Sequence, residues 1–261
     1  MNLSLSEVVV MNFEPVPLSS SRYRPNNGNR IVHECKNTEC KVKRFRGGCT
    51  NFKRQEIEYL MLDNYDKFAL TWASDAFETC KIILKLSGLP WKPVLTDACS
   101  GDGGNVIQFA CCQGFSKVNA VELNQVRCKT YLYNNLNIAM HLRPHCKNVE
   151  VDIIWGDYLE CMKTLQQDVV FLDVPWGGPQ YSRLRHCVLH LGNKHIADII
   201  VFLYKNKEHN KTKHVVIMTP FNFDANEMQY RLTSRLELRL LHTFRTFTLH
   251  VVSFEKPVQD S

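Results

Sequence analysis

The sequence predicts an α/β fold: a mostly parallel sheet with helices on both faces and a C-terminal antiparallel hairpin. Two observations carry this. Short apolar runs at 94–98, 118–121, 149–154, 169–172 and 215–218 alternate with helical stretches at 105–112, 125–138 and 196–204, and strands separated by helices assemble into parallel sheets. Near the end, 236–243 and 246–254 are two β-rich runs split by a tight turn, which reads as a hairpin.

Taken from the start, residues 1–54 show no sustained periodicity and hold Pro15, Pro17, Ser19-Ser20-Ser21, Pro25-Asn26-Asn27-Gly28 and Gly47-Gly48. Such composition predicts a mobile arm. The arm carries ten of the 32 Lys and Arg and four of the 26 Asp and Glu, so the whole net charge of +6 resides in it. A basic arm on a neutral domain fits either a polyanionic partner or a solvated tail. His33, Cys35, Cys40 and Cys49 lie near one another there, but their spacing matches no common zinc framework and no metal is assigned.

Residues 55–93 predict a helical extension packing on the core. Ile57, Tyr59, Leu60 and Leu62 recur at helical spacing, as do Phe77, Ile82, Ile83 and Leu86 before Gly88 and Pro90 end the run. Tyr65, Phe68 and Trp72 also fall near helical spacing and suit either packing or a ligand contact, with Trp72 kept as a candidate. The main domain spans 94–256. Its cysteines, among eleven in the chain, are scattered through apparent core segments and read as reduced thiols. No run of about 18 uncharged apolar residues and no secretory layout occur, so a soluble, intracellular, membrane-free protein is expected.

The first strand of that domain runs into Asp97-Ala98-Cys99-Ser100-Gly101-Asp102-Gly103-Gly104-Asn105 and then a helix. A strand, glycine turn and helix let a ligand approach the backbone at the carboxyl edge of a parallel sheet, with Gly101, Gly103 and Asn105 lining it. Glu122 ends the second strand 25 residues after Asp97, where a doubly wound fold offers an acceptor to ribose hydroxyls. The loop has Asp97 and Asp102 and no Lys or Arg, so it does not suit a pyrophosphate. A nucleoside with an amino-acid tail fits better, since its ammonium seeks an acidic neighbour. Asp157, after the third strand, fits either an adenine amine or the N-cap of the next helix.

The fourth strand, 168–172, opens into Asp173-Val174-Pro175-Trp176-Gly177-Gly178-Pro179-Gln180-Tyr181 at the same crevice. A polar group, a proline and an aromatic in this order suit methylation of a planar amine. Trp176 would stack the base while Asp173 and a backbone carbonyl beside Pro175 receive its N–H bonds.

These two segments resemble the trimethylguanosine synthase family, the RNA cap guanine-N2 methyltransferases, in the loop Asp97 to Ala110 and the turn Pro175 to Tyr181. The resemblance covers about 55–256 and implies a class I, Rossmann-like methyltransferase fold. It also implies S-adenosyl-L-methionine as methyl donor and guanine N2 of the 7-methylguanosine cap of RNA as acceptor. By matching position, Asp97, Glu122 and Asp157 would hold the cofactor, Trp176 would stack the 7-methylguanine and Tyr181 would lie near the cap phosphates. The Trp72 region would help to close over both. Capped RNA is then the expected partner, the nucleus the expected compartment with the cytoplasm as alternative, and a monomer the expected state.

Three positions depart from the family pattern. Val174 replaces a usual proline. Asp173 stands where cap enzymes often have Ser and is shared with adenine-N6 methyltransferases, which supply one alternative function; a non-catalytic cap- or RNA-binding module is the other. Phe221, in Thr219-Pro220-Phe221-Asn222, replaces an arginine for the cap phosphates, leaving Arg183, Arg185 or the basic arm to take its place.

Overall fold

The structure is a computed structural model in which residues 9–12, 35, 37–64 and 69–254 are described. Its strands are β1 (Val9–Asn12), β2 (Val94–Asp97), β3 (Lys117–Glu122), β4 (Glu150–Trp155) and β5 (Val169–Leu172). After the two-residue strands β6 (His190–Leu191) and β7 (Lys194–His195) come β8 (His214–Thr219), β9 (Leu238–Thr243) and β10 (Thr248–Ser253). Eight of them form one sheet in the order β1-β4-β3-β2-β5-β8-β10-β9. The central five are parallel, while β1 and the β9–β10 pair run antiparallel at the two sides. The fold class expected from sequence is thus the one observed, hairpin included.

The strands read as near-continuous apolar runs because both sheet faces are covered. Side chains alternate between two cores: Val169 and Phe171 join one, Val170 and Leu172 the other. Phe109, from the helix Gly104–Cys111, centres the first core with edge-on contacts to Phe115 at 5.9 Å and Phe171 at 5.3 Å. The helix Ile196–Lys205 covers the second through Ile196, Ile199, Ile200 and Leu203. After β3 the chain enters a π-helical turn, Arg127–Leu132, before the α-helix Tyr133–Leu142.

The chain builds β2, β3 and β4 in one direction and then β5 and β8 in the other. The carboxyl ends of β2 and β5 therefore flank the topological switch point, where ligands of such sheets bind.

Three expectations need correction. Cys35 and residues 37–54 are not a mobile arm. The helix Thr38–Phe45, capped by Asn37 Oδ1 on the Glu39 and Cys40 amides at 3.0 and 3.3 Å, puts Val42 and Phe45 into the first core with Cys35 and Phe52. Arg143 fastens this stretch, donating from Nε to Thr50 O at 2.6 Å and pairing with Glu56 at 2.7 Å, its guanidinium over the Phe52 ring. The rest of the arm except Val9–Asn12 lies outside the described residues, His33 included. The run from 55 is a single helical turn, Arg54–Ile57, followed by irregular chain, because Leu60 and Leu62 reach the core without helical geometry. Finally, Cys111 and Cys146 form a buried disulfide, since the helix Gly104–Cys111 packs on the 3-10 turn Pro144–Asn148; the other nine cysteines are thiols as expected.

Among the described residues, no helix is long and apolar enough to cross a membrane, and no group of three or more His, Cys, Asp or Glu could hold a metal ion.

Candidate active site

The loop after β2 makes a tight turn at the switch point. Gly103 caps the following helix with φ +90°, and a Cβ there would stand 2.7 Å from Leu132 Cδ1, so conformation and space both demand glycine. Glu122, at the end of β3, accepts from Gly101 N at 2.9 Å and from Asn124 N at 2.7 Å, stitching the loop tip to the next strand. Asp102 accepts from Asp63 N at 2.6 Å, and its carbonyl takes Asn135 Nδ2 at 2.8 Å. Asp63 in turn receives two guanidinium bonds from Arg127, each 3.1 Å.

Asp97 is 0% exposed. Its Oδ1 accepts from Cys99 N at 3.3 Å, while its Oδ2 has no hydrogen-bond partner among the described residues. Burial first, then the nearby Asp173 and Glu122 carboxylates, push the Asp97 carboxyl well above the usual range. Three carboxyl groups gathered about a fully buried Asp97 are satisfied by a cation. The ammonium and sulfonium charges of S-adenosylmethionine meet that demand, so the residues present fit the cofactor expected from sequence. Asn105 joins the two halves of the crevice: Nδ2 donates to Asp173 Oδ2 at 3.3 Å, and Oδ1 is buried without a partner among the described residues. Asp157 accepts from Leu159 N at 2.9 Å and caps the helix Tyr158–Cys161, so the capping role is realised there.

Beyond β5, Val174 is buried and Pro175 exposed. Gly177 takes φ +92° with nothing within 4 Å of a Cβ position, so conformation rather than space requires it. Half-buried Trp176 packs on both cores, with the Tyr181 ring edge-on at 5.1 Å. Its indole Nε1 is buried without a partner among the described residues. Tyr181 and Arg183 lie on the 3-10 helix Gly178–Arg183, which Asn222 holds by donating from Nδ2 to Tyr181 O and Leu184 O, both at 2.8 Å. Arg183 and Arg185 are exposed and make no ion pair among the described residues. Trp72, 40% exposed, follows Thr71, whose hydroxyl contacts Met218 Sδ at 3.6 Å near the end of β8. Tyr65 and Phe68 lie outside the described residues.

The structure thus gathers Asp97, Glu122, Asn105 and Asp173 at one crevice and Trp176 with Tyr181 at its rim. Sequence reasoning missed the supporting residues Asp63, Arg127, Asn135 and Asn222. Asn222 alone had a visible cue, lying two residues after Pro220 at a parallel-strand end.

Carboxyl groups gathered at the switch point of a doubly wound sheet suit a cationic nucleoside, and the fold is the class I, Rossmann-like methyltransferase fold. The chain belongs to the RNA cap guanine-N2 methyltransferase family, whose profile matches residues 92–248. It is 32% identical over 177 residues to the uncharacterized protein L320 of Acanthamoeba polyphaga mimivirus, covering 67% of this chain and 63% of that protein. It is 30% identical over 141 residues to the trimethylguanosine synthase of Schizosaccharomyces pombe, covering 52% and 53%. The chain therefore spans less than two thirds of either relative's length. Among solved structures, the SAM-dependent methyltransferase NGO1261 of Neisseria gonorrhoeae overlaps loosely, with a TM-score of 0.41, 19% identity and coverage of 62% and 61%.

Proposed function

We propose that the protein methylates the exocyclic N2 amine of guanine in the 7-methylguanosine cap of RNA. The observation that carries this reading is the Asn105 to Asp173 hydrogen bond at 3.3 Å, which sets the acceptor turn of β5 against the crevice of Asp97. S-adenosylmethionine, when bound at Asp97, Glu122 and Asp157, supplies an electrophilic methyl group.

The chain's own residues do the positioning. The guanine amine is a poor nucleophile because its lone pair is delocalised into the ring, so orientation and exclusion of water supply much of the rate. Trp176 offers its face to the base, and a 7-methylated guanine, being cationic, gains about 0.5–2 kcal/mol there. Asp173 and the Val174 carbonyl accept the amine hydrogens and fix the nitrogen. No strong base is needed before attack, since the nitrogen releases its proton once it has become cationic. Arg183, Arg185 and Tyr181 face the cap phosphates, and Trp72 closes the far rim. The protein acts as a monomer on nuclear RNA in this reading.

The test is mass spectrometry of 7-methylguanosine cap dinucleotide incubated with protein and S-adenosylmethionine, beside unmethylated cap and adenine-containing RNA. One or two methyl groups added to the 7-methylated cap alone is the expected result. Methylation of adenine would replace the reading with an adenine-N6 activity centred on Asp173, and no methylation would leave a cap- or RNA-binding module.

A further inference from the structure

We infer that Phe221 is a stacking platform for the nucleotide following the cap, and that the RNA leaves the pocket across the carboxyl ends of β8 and the turn between β9 and β10. This rests on the cap reading above.

The first support is how Phe221 is held. It is 60% exposed, and an exposed phenylalanine is unremarkable by itself. Its backbone, however, is fixed on both sides. Pro220 precedes it and accepts from Phe223 N at 3.0 Å, Asn222 O accepts from Cys187 N at 2.7 Å, and the Asn222 amide grips the loop carrying Tyr181 and Leu184. Phe223 is packed against His250, with ring centroids 5.4 Å apart. An aromatic ring set in solvent on a turn this constrained loses little conformational freedom when a base stacks on it.

The second support is where it sits. Asp97 and Glu122 end β2 and β3 and Asp157 follows β4, so the cofactor half occupies one side of β5. A base at Trp176 over the end of β5 has the cofactor half on one side and β8 on the other, and the inferred path of the RNA runs toward β8. There β8 lies next, a strand spacing of about 4.8 Å away, and presents Phe221; β10 follows, with Arg245 in the turn that joins it to β9. Charge matches this direction. Arg183, Arg185 and Arg245 are exposed and without ion pairs among the described residues, as a phosphate backbone requires. The acidic group nearby, Asp224, is engaged by His186 at 3.4 Å and by the Glu227 amide.

The experiment is competition binding with the full chain, comparing 7-methylguanosine triphosphate, a capped pentanucleotide and the same pentanucleotide with an unmethylated 5′-triphosphate end. Wild type, Phe221→Ala and Phe221→Tyr are measured in parallel. Capped pentanucleotide should bind wild type more tightly than 7-methylguanosine triphosphate. Phe221→Ala should weaken the pentanucleotide about tenfold and leave the mononucleotide within about twofold, with Phe221→Tyr restoring the loss. An equal loss for both ligands would put the ring in the cap pocket and overturn the proposal, as would no loss for either. If both pentanucleotides bind wild type equally, the cap reading fails, while a loss in Phe221→Ala still assigns the platform.

Discussion

Asp97 pays for ligand readiness with fold stability. Its carboxyl pKa is raised by burial and by Asp173 and Glu122. Below the ordinary value near 3.9, folded and unfolded chains both hold the proton and no penalty exists. As pH rises from there towards the raised folded value, the folded state holds a proton that the unfolded chain has released, and stability falls until both states have released it. Asp97→Asn should therefore melt higher than wild type at neutral pH without ligand, by about 2–4 °C per kcal/mol relieved, show a flatter pH dependence, and lose the stabilisation that S-adenosylmethionine gives. Melting curves across pH with and without the cofactor measure all three; a lower melting point for the variant would refute the argument. Trp176→Ala should weaken 7-methylguanosine triphosphate by roughly 2- to 30-fold and leave cofactor affinity unchanged, as read by calorimetric titration of each ligand. Asp97, Asn105, Asp173 and Trp176 were legible in the sequence because each lies in a contiguous run whose geometry the strand-turn pattern fixes. Asp63 and Arg127 were not, since their importance arises from partners distant along the chain.

At the level of elements, the parallel strands were readable to within a residue or two, because burial on both faces turns them into uninterrupted apolar runs. Helical structure was less legible. The π-helical turn Arg127–Leu132 leaves no periodic trace, and the apolar residues after Ile57 imitate a helix while the chain runs irregularly. The 178–185 segment is held to the turn after β8 by the Asn222 amide. Without the Asn222 side chain, the Leu184 carbonyl loses its side-chain donor and the Tyr181 carbonyl keeps only the Leu184 amide, at a cost of about 1–2 kcal/mol. Asn222→Ala should lower stability by that amount in urea unfolding and raise KM for capped RNA more than it lowers kcat. An unchanged KM would show that the loop is held by its own turn.

Over the whole molecule, the basic segment divides differently from the sequence expectation. Residues 37–54 are built into the body, and Arg143 is the fastening. Its hydrogen bond holds the Glu56 carboxyl below the usual range, so that contribution is present above the ordinary carboxylate pKa and lost as pH falls through the lowered one. Arg143→Ala should weaken this acid limb and open the 46–62 stretch to limited proteolysis, with cleavage sites mapped by mass spectrometry; resistance equal to wild type would mean that apolar burial alone holds it.

The pairing of β1 with β4, from Val9 opposite Trp155 to Asn12 opposite Asp152, bears on how the chain is made. The partner of β1 is encoded more than half of this chain's length after it. Until β4 emerges, β1 has nowhere native to dock, and once β4 has formed without it, an open sheet border is a template for another molecule. Such distant pairing slows folding, so during synthesis the newborn protein passes through a window of vulnerability to aggregation that its finished sheet conceals.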